Sequence, residues 1–276
     1  MIKKYKLPIL MFLVFEIVAI TLWLVLDNCF YFFNFSYIGI CIAIGLFLHI
    51  KKFKYARLVV QFSVGLYMLV YLGLICQENM LIEGFWYYLC LGVFQAAVIH
   101  YVIAKICGPF IFGRGWCGYA CWTAMILDFL PYKIPQAPRK KKIGFAKYIL
   151  FVFSFAFVGT LFILQIPNLE KIMFISFIIG NILYYIVGIA IAFLFKDNRA
   201  FCKYICPVTI FLKPTSYFSI LRVKCDKEKC INCGKCKKVC PMNVDVINNN
   251  RNRENGTECI LCTDCINQCS QKALHF

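Results

Sequence analysis

The residues CINCGKCKKVCP, at positions 230–241, and CILCTDCINQCS, at positions 259–270, repeat one arrangement of cysteines near the end of this chain. In both stretches the four cysteines are separated by two, two and three residues. The first stretch closes with Pro241, where the second has Ser270. Spacing this regular predicts that the thiols of each run act together on bound metal.

The spacing is typical of bacterial two-cluster ferredoxins, in which each run gives three thiolates to one [4Fe–4S] cluster and its fourth to the other. Zinc also binds C-x2-C pairs, but a zinc site takes four ligands from two such pairs. It gives no reason for the additional C-x2 spacing in each run. Clusters need reduced thiols, which disfavours a disulfide framework. Cross-ligation predicts that cluster 1 takes Cys230, Cys233, Cys236 and Cys269, and that cluster 2 takes Cys259, Cys262, Cys265 and Cys240.

The rest of the chain is too apolar for a soluble domain, because 62% of its 276 residues are hydrophobic and only 16% are charged. The apolar residues lie in long runs before residue 200, each near the ~20 residues that cross a bilayer as a helix. Six membrane spans are predicted, at 7–26, 30–50, 57–76, 85–107, 147–166 and 172–195. The predicted fold class is an α-helical polytopic membrane protein of about six transmembrane helices with a C-terminal cytoplasmic bacterial-type 2[4Fe–4S] ferredoxin domain (α+β).

Positive charge marks the predicted inner side of the membrane. The formal net charge is +17, and nucleic-acid binding is the rival explanation. Here, however, the charge follows the predicted topology and forms no aromatic-interleaved basic face. The positive-inside rule places both termini and the 108–146 loop in the cytoplasm. The predicted location is the inner membrane of a bacterium. The predicted inner cations are Lys3, Lys4, Lys6, Lys51, Lys52, Lys54, Arg57, Arg114, Lys133, Arg139, Lys140, Lys141, Lys142 and Lys147.

A second cysteine pattern repeats within the apolar part. The sequence RGWCGYAC at 114–121 and the sequence RAFCKYIC at 199–206 lie about 85 residues apart, each after a predicted span that runs inward. Cysteines at i and i+4 project from one face of a helical turn, so two facing loops supply four thiolates for a further metal or cluster. Packing cysteines are the alternative, which the matching flanks oppose. The four thiols are Cys117, Cys121, Cys202 and Cys206, and Arg114 and Arg199 are expected to lower their pKa values.

The predicted domains are a transmembrane domain over 1–215, an interfacial linker over 216–224 and a two-cluster ferredoxin domain over 225–276. The two cytoplasmic C-x3-C loops of the first domain are placed at 114–122 and 199–207.

Paired C-x3-C motifs on cytoplasmic loops, followed by a two-cluster ferredoxin segment, resemble the membrane-bound polyferredoxins of the NapH type, which are relatives of the NosR and CcoG proteins. The resemblance covers roughly residues 55–276. Cys202–Pro207 matches the C-x3-C-P motif best, whereas Trp122 stands where the first loop would have proline. The resemblance implies a subunit of a membrane electron-transfer complex, often a quinol dehydrogenase component that supports an extracytoplasmic reductase.

Two polar residues inside predicted spans are candidates for a proton or quinone site, because ionisable groups in a membrane are costly. They are Glu16 and His100. A neutral Glu16 bonded to Gln61, Gln95 or Asn181 is the alternative. His49 and His100 at similar depth also suit haem ligation, although a hydrogen-bonded core His100 and an interfacial His49 are favoured.

The leading hypothesis from the sequence is an electron-transfer protein with two [4Fe–4S] clusters, whose partner is a quinone pool or another redox protein. One alternative is a copper or other metal-ion reductase or assembly factor that uses the loop cysteines. Another is a membrane redox sensor. The chain has no dinucleotide-binding fingerprint, so a direct NAD(P)H donor is not expected.

Overall fold

The computed structural model describes residues 2–94 and 96–276, in which apolar helices precede a compact cysteine-rich segment. The helices of the apolar part are α1 (Ile2–Leu26), α2 (Cys29–Ile50), α3 (Ala56–Leu66), α4 (Ile82–Cys90), α5 (Ala96–Tyr101), α6 (Gly108–Phe112), α7 (Gly115–Tyr119), α8 (Trp122–Leu127), α9 (Ala146–Ile163), α10 (Leu169–Phe195), α11 (Ala200–Tyr204) and α12 (Thr209–Tyr217). The C-terminal segment holds β1 (Lys224–Cys225), α13 (Lys235–Lys238), α14 (Asp264–Asn267) and β2 (Leu274–His275).

Five helices in the described ranges are long and apolar enough to cross a membrane. They correspond to five of the six predicted spans, with ends shifted by a few residues. Large apolar side chains on their outer faces stay uncovered, such as Ile163 at 81% exposure, and such a surface suits contact with lipid rather than water. The five are Pro8–Leu26, Cys29–Ile50, Ala56–Ile75, Lys142–Ile163 and Leu169–Phe195.

The prediction of one continuous span over 85–107 is wrong. Helix α4 ends at Cys90, and Gly92 has a φ of 70°, a left-handed conformation that glycine adopts without steric cost. The chain turns back there, so that Phe85 of α4 stacks on Tyr101 of α5 with ring centroids 4.9 Å apart. Helix α5 continues through a π-helical stretch into α6, which makes 97–112 a shorter apolar helix. The turn lies in a mostly apolar stretch, in which Gln95 is the nearest polar residue, so composition alone conceals it.

Three of the cations predicted to face inward meet at one end of the helical bundle. Arg57 reaches the carbonyl oxygen of Gly118 at 3.0 Å, and Lys147 donates to the carbonyl oxygen of Lys203 at 3.0 Å. Arg139 contacts the same carbonyl oxygen at 3.3 Å. This end, which carries residues 114–122 and 199–207, is called the loop end below. The side of a membrane that it faces stays a prediction.

Helix α12 links the bundle to the C-terminal segment and overlaps the predicted 216–224 linker by only two residues. Phe211 in its first turn packs edge-on against Phe85 of α4 and Phe151 of α9. The segment after Tyr217 is also held, because Ile220 and Leu221 donate backbone hydrogen bonds to the carbonyl oxygens of Phe110 and Ile111. The connection is therefore a packed part of the loop end.

The C-terminal segment, residues 222–276, closes on itself through its two short strands. They pair antiparallel, with Lys224 opposite His275 and Cys225 opposite Leu274. Each cysteine run contains one single-turn helix, α13 in the first and α14 in the second. A small apolar core that includes Met242 fills the space between the runs. The α+β character predicted for this segment is present in reduced form.

Candidate functional site

The structure places the eight cysteines of the two runs around two small cavities. One cavity is lined by Cys230, Cys233, Cys236 and Cys269, and the other by Cys240, Cys259, Cys262 and Cys265. Each cavity thus combines three thiols of one run with the fourth thiol of the other. Both cavities are lined by residues of the C-terminal segment alone.

The backbone of the two runs is a close repeat. Residues 232 and 261, each two positions after the first cysteine of a run, have φ values of 52° and 54°. Residues 234 and 263, two positions further, have φ values of 72° and 66°. Glycine occupies one of these left-handed positions and threonine the other. Successive turns of this kind direct backbone N–H groups toward the space between the cysteines.

The fourth cysteine of each run also accepts a backbone hydrogen bond. The N–H of Val244 lies 3.3 Å from the sulfur of Cys240, and the N–H of Ala273 lies 3.3 Å from the sulfur of Cys269. Both donors are four residues after their cysteine. Hydrogen bonds to ligand sulfurs stabilise negative charge on a cluster and raise its reduction potential.

The two C-x3-C loops face each other and exchange hydrogen bonds through their arginines. Arg114 lies 4.0 Å from the sulfur of Cys117 in its own loop and donates to the carbonyl oxygen of Cys202 at 3.4 Å. Arg199 lies 3.9 Å from the sulfur of Cys202 and donates to the carbonyl oxygen of Cys117 at 2.9 Å. The sequence repeat is therefore a spatial repeat, in which each arginine ties its own cysteine to the opposite loop.

Burial controls the protonation of these thiols. It raises the pKa of Cys202 to about 12, even though Arg199 acts in the opposite direction. Burial likewise raises the pKa of Cys121, and the neighbouring Cys117 adds to the shift. Arg199 does lower the pKa of both thiols, as expected from the sequence, but burial outweighs it and the net shift is upward. A bound cation is what would bring such thiols to the thiolate form.

A buried carboxylate compensates the charge of each arginine. Glu258 lies 3.2 Å from Arg114, 2.7 Å from Arg139 and 2.7 Å from Lys213. Its burial acts to raise the pKa, but the three cations outweigh that effect and hold the pKa at about 2. Glu258 directly precedes Cys259, so this network joins the C-terminal segment to the first loop.

The second arginine has an equivalent partner. Asp128, at the end of α8, lies 2.5 Å from Arg199 and 2.7 Å from Arg57. Burial again acts to raise the pKa of the carboxyl, and Arg199 and Arg57 reverse the shift and lower it. Both loops thus have a buried arginine neutralised by a carboxylate from another part of the chain.

The second cysteine run is seated directly on the loops. A Cβ atom at Gly118 would lie 2.4 Å from the carbonyl oxygen of Ile260, so only glycine allows this approach. The hydroxyl of Tyr119 donates to the carbonyl oxygen of Leu261 at 3.0 Å. From the other loop, Lys203 donates to the side chain of Asn243, which follows the first run, at 2.6 Å. The cavity lined by Cys259 and its neighbours therefore lies next to the paired loops.

Two larger cavities lie in the helical part, on either side of a layer that includes Trp116. The His100 cavity has a volume of about 290 Å³ and is also lined by Asn34. The His49 cavity has a volume of about 240 Å³, and its lining is mostly apolar. Arg57 and Cys262 both reach the wall of the His49 cavity, which places it beside the second run. A mostly apolar cavity with a few polar groups is typical of small-molecule sites.

The candidate residues inside the spans are not brought together. Glu16 accepts a hydrogen bond from Ser36 at 3.0 Å rather than from Gln61 or Asn181, and Gln95 lies outside the described residues. His49 and His100 line different cavities, which separates the pair considered for haem. His100 is buried, but its Nε2 atom lacks the hydrogen bond expected of a core histidine.

Several residues of the site were not predicted from the sequence. Asp128 and Glu258 carry no motif, although the position of Glu258 immediately before a cysteine run was a usable signal. Tyr119 was visible only as part of the repeated Cys-x-Tyr-x-Cys pattern. The side chains of Lys3, Lys4 and Lys141, named above as inner cations, lie outside the described residues.

Comparison with protein-family models identifies iron–sulfur domains in both parts of the chain. A 4Fe-4S dicluster domain matches residues 222–270. A second model, a 4Fe-4S binding domain, matches twice, at 98–146 and 172–224. Each of the two matches contains one C-x3-C loop, in agreement with the internal repeat. No solved structure matches the chain.

Curated relatives are distant. An uncharacterized protein of Methanocaldococcus jannaschii, MJ0749, is 26% identical over 66% of this chain and 71% of its own length. The putative electron transport protein YccM of Escherichia coli is 33% identical over 26% of this chain and 20% of its own length. The methylamine utilization ferredoxin-type protein MauN of Paracoccus denitrificans is 41% identical over 17% of each chain. The chain is therefore an iron–sulfur protein with 4Fe-4S ferredoxin domains, related to proteins named for electron transport.

Proposed function

We propose that the chain is a membrane electron-transfer protein of the NapH type, which connects iron–sulfur clusters at the cytoplasmic side to a quinone pool or to a redox partner across the membrane. The observation that carries the proposal is the contact of the second cysteine run with the first loop, through Gly118 and Tyr119. The second loop contacts the C-terminal segment as well, through Lys203 and Asn243. Such contact would give electrons a short path between the C-terminal segment and the helical bundle.

The two cysteine cavities are the proposed cluster sites. Cys230, Cys233, Cys236 and Cys269 would hold cluster 1, and Cys240, Cys259, Cys262 and Cys265 would hold cluster 2. The donor sets support this assignment, because each cavity is lined by four thiols and one thiol of each set accepts a backbone N–H. When bound, a [4Fe–4S] cluster carries one electron at a time.

The loop cysteines are proposed as a third redox centre between cluster 2 and the bundle. The reciprocal contacts of Arg114 and Arg199 hold the two loops together, and the buried carboxylates keep the net charge of the centre low. In the described ranges, no three His, Cys, Asp or Glu side chains lie close enough to share a single metal ion. The nature of the bound group is left to the experiment below.

The His49 cavity is the proposed quinone site. It is mostly apolar, it offers the polar groups of His49 and Arg57, and the cluster 2 ligand Cys262 lies in its wall. Oxidation of a quinol releases two electrons and two protons. Glu16 and His100 stay as candidates for the protons, since both lie in apolar surroundings and the Nε2 atom of His100 has no hydrogen bond.

Anaerobic stopped-flow mixing tests this function. The detergent-purified, chemically reduced holoprotein is mixed with a water-soluble menaquinone analogue, and the visible absorbance of the clusters is followed. Fast recovery of the oxidised spectrum is expected. The recovery should slow at least tenfold in the double variant Cys202→Ser and Cys206→Ser, and should persist in the matched variant Cys29→Ser and Cys90→Ser, because those two cysteines are exposed and belong to no motif.

The location of the quinone site has its own control. His49→Phe should raise the quinone concentration that gives half the maximal rate, and Ile99→Ala should leave it unchanged because Ile99 lines the other cavity. An equal rate in the loop variant and in the unmodified protein would contradict a route through the loops.

A further inference from the structure

The two cysteine runs differ sharply in charge. Residues 227–238, KEKCINCGKCKK, contain five lysines and one glutamate. The equivalent residues 256–267, GTECILCTDCIN, contain two acidic residues and neither lysine nor arginine. The lysines of the first run are all exposed to solvent, and they are Lys227, Lys229, Lys235, Lys237 and Lys238.

The two runs also face different surroundings. The second run lies against the loop end, through Glu258, Ile260 and Leu261. In the described part of the chain, the hydrogen bonds and ion pairs of residues 227–238 are confined to the C-terminal segment.

Equivalent positions in the two cysteine runs differ in how far they are covered by the rest of the protein. Ile260, one residue after the first cysteine of its run, is 2% exposed because it packs on Gly118. Ile231 holds the same position in the first run and is 64% exposed. Cys233, two residues further, is exposed as well. One end of the segment is therefore docked through an isoleucine beside its thiols, and the other end presents the same feature without a cover.

We propose that the first run is a docking face for a small acidic protein that carries one electron, such as an acidic ferredoxin or flavodoxin. This inference rests on the proposed electron-transfer function and names its soluble partner. The five lysines supply the attraction to an acidic surface, and Ile231 supplies the apolar centre. A docked carrier would lose or gain one electron, with no bond made or broken and no proton moved.

A protein fits this face better than anionic lipid does. Lipid contact needs basic charge at the rim of the apolar helices, and the exposed Lys51, Lys52 and Lys54 already lie there, at the end of α2. The lysines of residues 227–238 flank an exposed isoleucine, Ile231, and the exposed Cys233 along the sequence. Charge around a small apolar centre is the arrangement of a transient protein interface.

Binding of a purified acidic [2Fe–2S] ferredoxin tests the proposal. The full holoprotein is placed in nanodiscs of zwitterionic lipid, and its Kd for the ferredoxin is measured by biolayer interferometry at low and high salt. The triple variant Lys227→Gln, Lys235→Gln and Lys238→Gln should bind at least tenfold more weakly at low salt. The matched variant Lys51→Gln, Lys52→Gln and Lys54→Gln removes the same charge elsewhere and should bind normally. Visible absorbance checks that both variants keep their clusters.

Further readouts separate the possible outcomes. Ile231→Ser should weaken binding severalfold without changing its salt dependence. Equal Kd values for the two triple variants, or no binding to the unmodified protein, would overturn the docking face. Protection of the first-run lysines from acetylation by anionic nanodisc lipid, but not by ferredoxin, would assign the face to the membrane instead. Quinone-dependent reoxidation is measured in parallel, so that failure of docking is distinguished from failure of the electron-transfer function.

Discussion

Gly118 shows how one residue determines whether the two parts of this protein can touch. It lies between Cys117 and Tyr119 in the first loop, where the backbone of Ile260 approaches it. Any side chain there would force the second cysteine run away from the loop. The absence of a Cβ atom, rather than conformational freedom, is what the position requires.

Gly118→Ala should therefore destabilise the protein by about 1–3 kcal/mol, the usual cost of an added methyl group in a packed interface. The measurement is the temperature at which cluster absorbance is lost, and a lower value is expected. Gly159→Ala is the matched control, because a Cβ atom at Gly159 in α9 would meet nothing within 4 Å. If cluster absorbance were lost at the same temperature in both variants, the contact between Gly118 and Ile260 would not be tight.

At the scale of elements, the sequence predicted what is encoded locally. Cysteine spacing divided the eight thiols as they line the two cavities, while their role as cluster ligands stays a prediction, and apolar runs predicted five long helices. The break after α4 was missed because Gly92 lies in a mostly apolar stretch, and lipid-facing and inward-turning segments have similar compositions. The ion pair of Asp128 with Arg57 joins residues 71 positions apart. Contacts of that kind depend on how helices pack, which no local pattern reports.

Asp128 joins three elements, since it follows α8 and contacts the arginines that precede α11 and lie in α3. Asp128→Asn would leave Arg199 buried without its carboxylate, and loss of one partner of a buried pair costs roughly 3–5 kcal/mol. Because the pKa of Asp128 is lowered on folding, its contribution is complete above about pH 4 and is lost as the pH falls further.

Urea unfolding of the unmodified protein and of Asp128→Asn checks this expectation. The difference in stability should be the same at pH 7 and pH 5 and should shrink below about pH 4. Asp245→Asn serves as control, because its nearest cation lies 3.9 Å away and the pair is partly exposed. A difference that grows on acidification would contradict the sign of the pKa shift.

At the scale of the whole molecule, the two cysteine runs differ in charge and in what they contact. The basic first run is uncovered, the second run is seated on the loops, and the loops adjoin the apolar cavities. Glu258 is the main electrostatic link in this series, because it pairs with three cations of the bundle, Arg114, Arg139 and Lys213. Its loss should affect the junction before it affects either part.

Glu258→Gln keeps the shape of the side chain and removes its charge, leaving Arg114 buried at 1% exposure without a counter-charge. We expect the junction to weaken by about 3–5 kcal/mol and to open locally, while the long helices stay folded. Hydrogen exchange should rise in residues 114–121 and 256–263 and stay constant in α9 and α10. Glu228→Gln, on the exposed first run, should change none of these rates. Uniform exchange throughout the chain in the Glu258 variant would mean that the two parts unfold as one unit, and the junction would then be part of the core rather than a separable contact.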